Sequence, residues 1–312
     1  MINNRIRIGT RASQLALWQA NWIKECLIRQ HPDLDVQIEK IKTTGDKILD
    51  VSLAKIGGKG LFVKEIETAL LDNSVDIAVH SMKDVPTELP DGLDIVAVSQ
   101  REDPRDALLS GNGMGMDDLP DVAAIGTSSL RRQAQLLHLK PNFSIQPLRG
   151  NINTRLRKLK EGQYDAIVLA HAGVIRLGWE AEVTQVIEPD VMLPAIGQGA
   201  LGIEARLDDD RTLDRISFLN DPVTSVCVAA ERAFLHRLEG GCQVPIAAYA
   251  TADGDELSLT GLVAAVDGTR FIRREARSPV SEAESMGTGL ADDVLDSGGR
   301  EILEEVYCRE IS

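Results

Sequence analysis

The sequence predicts an α/β protein with two related lobes, a cleft between them, and a smaller C-terminal α+β domain. Three observations carry that reading. Strand-like apolar runs alternate with helix-periodic segments through the first two thirds of the chain, which favours mainly parallel sheets. The order apolar strand, Ile-Gly-Thr, serine, helix occurs once from Arg5 and again from Ala123. The alternation stops at Asp221-Pro222, where an N-cap residue followed by proline at the first helical position opens a different kind of segment.

The elements follow in order. Residues 5–10 alternate as a short strand that turns at Gly9, and a helix runs from about Ser13, a good cap, to Gln30. Residues 43–60 are loose, with Gly45, Gly57, Gly58 and Gly60 among Lys42, Lys47, Lys55 and Lys59. A loop of that length is functional or mobile. It reads either as a lysine-bearing lid over an anionic ligand or as plain surface, and its spacing lacks the phosphate-loop pattern. Residues 62–71 are helical and 73–80 form a strand. The polar segment 101–106, with Pro104 at its centre, crosses to the second lobe. There 123–126 form a strand and a helix follows through Leu136. A helix over 155–160 and a strand over 162–170 echo the first lobe. A return crossing falls near 192–198. The expected domains are 1–100 with 195–220, then 101–194, then 221–312. In the last, a helix to about Leu238 delivers a Gly-Gly-Cys loop, 257–266 and 271–277 read as strands, and 281–306 is mostly helical.

Composition narrows the function. The 312 residues are 43% hydrophobic and 26% charged, as in ordinary globular proteins. A net charge of −14 and only 4% aromatic residues argue against a nucleic-acid or anionic-membrane surface. The chain shows no membrane-length apolar run, and its first residues lead into a strand without a signal-peptide core. Its four cysteines form no CxxC pair and its five histidines no metal pattern. The expectation is a cytoplasmic protein without a metal.

Two features carry chemistry. Glu239-Gly240-Gly241-Cys242 puts one thiol on a turn whose glycines offer nothing to bury it. Cys26 and Cys227 fall on apolar helix faces and read as packed. The arginines gather at strand-to-helix turns: Arg11, Arg131, Arg132, Arg149, Arg155 and Arg176. Such turns lie beyond the carboxyl ends of strands, where helix N-termini favour anions and guanidinium groups fit carboxylates. The implied ligand is small and carries several negative charges. Asp84, in His80-Ser81-Met82-Lys83-Asp84-Val85-Pro86, reads either as a turn residue or as a carboxylate that steadies a cation or moves a proton.

Several segments together resemble the porphobilinogen deaminase (hydroxymethylbilane synthase) family. They are Arg11-Ala12-Ser13-Gln14-Leu15-Ala16, Gly57-Gly58-Lys59-Gly60-Leu61-Phe62, the His80 to Pro86 stretch, Arg101 to Asp106, Gly126-Thr127-Ser128-Ser129-Leu130-Arg131-Arg132, Leu148-Arg149-Gly150-Asn151, Leu193 to Gly199 and Glu239 to Cys242. The resemblance covers nearly the whole chain and is weaker at 111–118 and in the C-terminal third. It implies two lobes like those of bilobal small-molecule binding proteins and a third domain bearing the cofactor cysteine. It implies an enzyme that joins four porphobilinogen units head to tail, releases four ammonia molecules and makes hydroxymethylbilane on the way to haem. It implies a dipyrromethane cofactor held by a thioether to Cys242, and usually a monomer.

By that resemblance Asp84 is catalytic. Cys242, Ser13, Lys83, Asp84, Thr127, Ser129, Arg131, Arg132 and Gly150 hold the cofactor. Arg11, Gln19, Lys55, Lys59, Ser81, Arg149, Arg155, Arg176 and Gln198 bind substrate. The residue chemistry agrees. Porphobilinogen carries acetate and propionate groups, which suits many arginines in an acidic chain. Two other classes share parts of the pattern. A bilobal binding protein would not require the presented thiol. A cysteine-nucleophile hydrolase would require a histidine base beside Cys242, and His236 has no obvious orienting partner.

Overall fold

The computed structural model describes residues 4–47, 63–239 and 244–311. Cys242 and its glycines, Lys55 and Lys59 lie outside them. The described residues fall into two compact units, one holding 4–47, 63–102 and 200–225, the other 103–199, 226–239 and 244–311.

The first unit is built on a five-stranded sheet of β1 (Arg5–Arg11), β2 (Asp35–Ile41), β3 (Ile77–Ser81), β4 (Leu93–Val98) and β10 (Leu201–Arg206), in the order β2-β1-β3-β10-β4. Helix α1 (Gln14–Gln30) begins where expected, with Ser13 as its cap: the Ser13 hydroxyl accepts from the Ala16 N–H at 3.3 Å. Its Ala20, Ile23 and Leu27 are fully buried against Ile6, Ile8, Ile77 and Val79. Ile66 and Leu70 of α2 (Lys64–Leu71) pack with Ala78 and Val75 in a separate core cluster.

The second unit repeats the plan with β5 (Asp106–Ser110), β6 (Ala124–Gly126), β7 (Ser144–Gln146), β8 (Ala166–Ala170) and β9 (Gln185–Ile187), in the order β7-β6-β8-β5-β9. Its helices are α3 (Leu130–Leu139), α4 (Ile152–Lys160) and α5 (His171–Arg176). The chain returns to the first unit through β10 and α6 (Asp210–Ile216). Helix α7 (Pro222–Arg237) opens as predicted, with Asp221 Oδ1 accepting the Thr224 N–H at 2.7 Å. An antiparallel sheet of β11 (Ile246–Asp253), β12 (Glu256–Ala264) and β13 (Phe271–Pro279) follows, then α8 (Ala283–Val294) and α9 (Arg300–Ile311). Phe234 of α7 is fully buried in the core that these elements share.

Four expectations need correction. The sheets are not mainly parallel. Each five-stranded sheet has two parallel pairings and two antiparallel ones, because β10 and β5 run against their neighbours. Each of these strands follows directly on a passage of the chain from the other unit, so it enters in the opposite direction. Nor does the first strand turn at Gly9. It continues to Arg11, and glycine is there for space: a Cβ on Gly9 would lie 3.1 Å from Val75 Cγ2. The equivalent Gly126 would place a Cβ 2.9 Å from Tyr164 Cδ1. The segment that read as a long loop contains one helical turn, Thr44–Lys47, held by Glu65 Oε1 accepting the Thr44 N–H at 2.8 Å. Strands β2, β4, β5, β7, β9, β10 and β11 were not anticipated; in β11 the run Ile-Ala-Ala-Tyr-Ala lacks the alternation that marks a half-buried strand. Among the described residues no helix is long and apolar enough to cross a membrane.

Candidate active site

In the first unit the predicted residues collect at the carboxyl ends of β1 and β3. Arg11 ends β1, Ser13 caps α1, and Gln19 lies one turn and a half into that helix. Gln19 is 3% exposed, and its Nε2 donates to Ser81 Oγ at 2.9 Å. Ser81 ends β3, and a single 3-10 turn, Met82–Asp84, follows. That turn is pinned by the Met82 N–H donating to Ala200 O at 3.0 Å. Arg11, Ser13, Gln19, His80, Ser81 and Asp84 line one concavity. Asp84 is exposed there, while Lys83 beside it is half-buried. The site therefore offers a cation, two hydroxyls, an amide and a solvent-facing carboxylate within one recess.

Sequence reasoning missed the wall behind this recess. His80 Nε2 meets Glu204 Oε2 at 2.8 Å, and both side chains are almost fully buried. The other oxygen of Glu204, Oε1, is buried without a hydrogen-bond partner among the described residues. Burial, then the charge of Glu204, pushes the carboxyl of nearby Glu67 up. The available signal was an acid inside an otherwise apolar strand, Leu201-Gly202-Ile203-Glu204-Ala205.

In the second unit Thr127, Ser129, Arg131 and Arg132 surround the start of α3. Ser129 caps the helix, its Oγ accepting the Arg132 N–H at 3.4 Å, and Thr127 Oγ1 accepts the Ser129 N–H at 3.2 Å. The two arginines do not stand in solvent as turn residues would. They are 5% and 6% exposed and converge on Asp106, which is fully buried at the start of β5. Arg131 Nη1 donates to Asp106 Oδ2 at 2.8 Å and to Leu193 O at 2.7 Å. Arg132 Nη2 donates to Asp106 Oδ1 at 2.8 Å, and its Nη1 to Val168 O at 3.0 Å. Gln198, also buried, donates from Nε2 to Asp106 Oδ1 at 2.9 Å and to Pro104 O at 2.6 Å. Burial opposes ionisation of Asp106, but the charges and hydrogen bonds of Arg131 and Arg132 outweigh it and hold the carboxyl far below its usual range. Burial also lowers Arg131, although a guanidinium stays protonated even so. Asp106 was read from sequence only as part of the crossing segment, because the sequence does not show which acid faces the arginines.

The other predicted residues of this unit lie at neighbouring turns. Ser128 Oγ donates to Leu148 O at 3.1 Å and accepts the Leu148 N–H at 3.0 Å, which ties the turn before α3 to the turn before α4. Gly150 in that second turn has φ 107°, a conformation that favours glycine. Asn151 caps α4, and Arg155 in its first turn donates from Nε to Gly150 O at 2.8 Å. Half-buried Arg149 has its guanidinium pKa lowered by burial. Arg176, at the end of α5, is buried and donates to Gly199 O at 2.6 Å. Of the packed cysteines, Cys227 is buried, and half-buried Cys26 packs against the core beneath α1 with its thiol pushed up by burial.

Comparison with known proteins places the chain in a family. The family profile "Porphobilinogen deaminase, dipyromethane cofactor binding domain" matches residues 6–214, and "Porphobilinogen deaminase, C-terminal domain" matches 225–296. A porphobilinogen deaminase of Geobacter sulfurreducens is 58% identical over 100% of this chain and 98% of its own length. One of Pelobacter propionicus is 57% identical over 98% of this chain and 99% of its own. Among solved structures, the methionine binding protein MetQ covers 70% of this chain and 90% of its own at a TM-score of 0.44 and 16% identity, too distant to bear on ligand or activity. With two family profiles spanning both units and full-length relatives above half identity, the chain belongs to the porphobilinogen deaminase family.

Proposed function

We propose that the recess of the first unit and the arginine cluster of the second serve the reaction of this family. The chain is an enzyme that condenses porphobilinogen head to tail into hydroxymethylbilane, with loss of ammonia, in tetrapyrrole biosynthesis. The observation that carries the assignment of roles is the recess itself. It sets one exposed carboxylate, Asp84, beside Arg11, Ser13, Gln19 and Ser81.

The donor set suits a dipyrromethane, whose rings carry carboxylates. Arg131 and Arg132 hold two positive charges against the single negative charge of Asp106, and a buried excess of charge favours an anion. When bound through Cys242, the dipyrromethane supplies a tethered pyrrole as nucleophile. Arg131, Arg132, Thr127, Ser129, Ser13, Lys83 and Gly150 hold it. Arg11, Gln19, Ser81, Arg149, Arg155, Arg176, Gln198 and the lysines 55 and 59 receive the carboxylates of incoming substrate. Asp84 carries the chemistry. Its negative charge steadies the positive charge that grows on the substrate pyrrole as ammonia departs, and it holds the ring proton lost after the new carbon–carbon bond forms.

The domains are 1–100 with 195–220, 101–194, and 221–312 with Cys242. The enzyme works as a cytoplasmic monomer without nucleic acid, a reading that the net charge of −14 supports. Peptide mass mapping of the active protein tests the attachment. The expected result is a two-pyrrole adduct on Cys242 and none on Cys26, Cys227 or Cys308, and an unmodified Cys242 in fully active enzyme overturns it.

A further inference from the structure

The arginine cluster contains a carboxylate with no assigned role. Asp106 is fully buried, yet it accepts hydrogen bonds from three side chains, two on α3 and one, Gln198, from a distant segment. Oδ2 takes Arg131 Nη1 at 2.8 Å. Oδ1 takes Arg132 Nη2 at 2.8 Å, Arg132 Nε at 3.2 Å and Gln198 Nε2 at 2.9 Å. Both guanidinium groups are also fixed to backbone oxygens, of Leu193 and Val168. These contacts fix the orientation of two side chains that would otherwise have many rotamers. Burying a charge is costly unless it is paired, and among the described residues the ion pairs of Arg131 and Arg132 set two positive charges against one carboxylate.

We infer that Asp106 is the positioning residue of this arginine pair: it orients both guanidinium groups and Gln198, and it cancels one of their two charges so that the pair receives one ligand carboxylate. Asp106 itself touches no substrate. It acts as a built-in carboxylate that occupies one half of the pair's capacity. The inference rests on the reading of Arg131 and Arg132 as holders of the cofactor's carboxylates. It adds that the protein and the cofactor share the same two cations. Without Asp106, the cofactor should become more important to the stability of the fold, not less.

A double-substitution experiment on the full chain tests this. Cys242→Ala prevents attachment of the cofactor, and its effect on the unfolding half-life at a fixed temperature gives the cofactor's contribution. That effect is measured in the parent and in Asp106→Asn. If Asp106 acts through the arginines, the contribution grows by about tenfold in the Asn background, because one more charge-assisted contact then depends on the cofactor. If Asp106 only braces the fold, the two substitutions act independently and the contribution is unchanged, which overturns the inference. Arg131→Leu provides a second arm should the Asn chain fail to fold. It leaves one arginine neutralised by one aspartate, so the cofactor's contribution should shrink by about tenfold, and an unchanged value is equally fatal. Pyrrole content by an acidic aldehyde reagent keeps the two readings apart. Full content in Cys242→Ala refutes the attachment, and full, tightly held content in Arg131→Leu refutes the role of the arginines. Unchanged half-life ratios with normal dependence of content on Cys242 and Arg131 refute only the role of Asp106.

Discussion

Replacement of Asp84 by Asn removes one negative charge from the recess with almost no change in size. The structure allows the effect to be sized. Asp84 is exposed on a 3-10 turn and shares its recess with Arg11, so in the empty site its field is partly screened by water. A unit charge about 4 Å from a developing cation contributes roughly 1 kcal/mol in water and about 4 kcal/mol at an effective dielectric of 20. A bound pyrrole displaces water from the recess, which favours the larger figure. About 4 kcal/mol corresponds to a loss of about 10³-fold in rate. Proton transfer by the same carboxylate adds to this, so 10³-fold is the expected minimum, roughly. Asp84→Glu keeps the charge but shifts it by one methylene, and should lose about 10²-fold. The assay is single-turnover release of ammonia from porphobilinogen by cofactor-loaded protein, which separates chemistry from binding. Ser81, Gln19 and Arg11 are untouched, so the KM for porphobilinogen should stay within about threefold. A near-normal chemical rate in the Asn variant would show that Asp84 only shapes the turn before Val85-Pro86, and catalysis would have to reside elsewhere.

Two further outcomes concern the frame that holds the site. Burial raises the Asp103 carboxyl, but hydrogen bonds from Arg105 and His171 outweigh it and bring its pKa from 3.8 to about 2. A depressed carboxylate stabilises the fold above its unfolded pKa and loses that contribution as pH falls through the folded one. Asp103→Asn should therefore cost about 2 kcal/mol at pH 7, a deficit that narrows below about pH 4 and closes toward pH 2, as followed by unfolding at a series of pH values. A deficit independent of pH would assign the effect to packing. Gly126→Ala should lower the unfolding free energy by about 1–3 kcal/mol, since the added methyl meets Tyr164 Cδ1 at 2.9 Å while Tyr164 is held by its hydroxyl donating to Pro147 O at 2.8 Å. A neutral Ala variant would mean that the strand shifts freely.

Local signals in this chain were strong enough to be read without the structure. Ser13 and Asp221 were read as helix caps, and each accepts the backbone N–H three residues on. Asn151 caps α4 in the same way but was not read, and that helix was expected only from Arg155, three residues late. The doubled order of strand, Ile-Gly-Thr, serine and helix foretold two sheets of the same plan, because alternation of strand and helix is a property of short stretches. Of the residues of the recess, Arg11 and Asp84 were read from their places after strands, whose ends in such sheets converge at one edge. Ser13, Gln19 and Ser81 were named as site residues through the resemblance to the family.

Tertiary structure decided what depends on distant partners. β5 and β10 are apolar runs like any other, and nothing local specifies that each joins its sheet antiparallel after the chain crosses from the other unit. Gly9 looked like a turn residue, but its role and that of Gly126 is space, set by Val75 and Tyr164 far along the chain. The sequence marked Arg131 and Arg132 as cations at a helix start and could go no further. Their burial against Asp106, 25 and 26 residues away, exists only because β5 lies beside β8 in the sheet that α3 follows. A charge can be read from one residue, but whether it is paired, buried or left over is a property of the neighbours that folding brings to it.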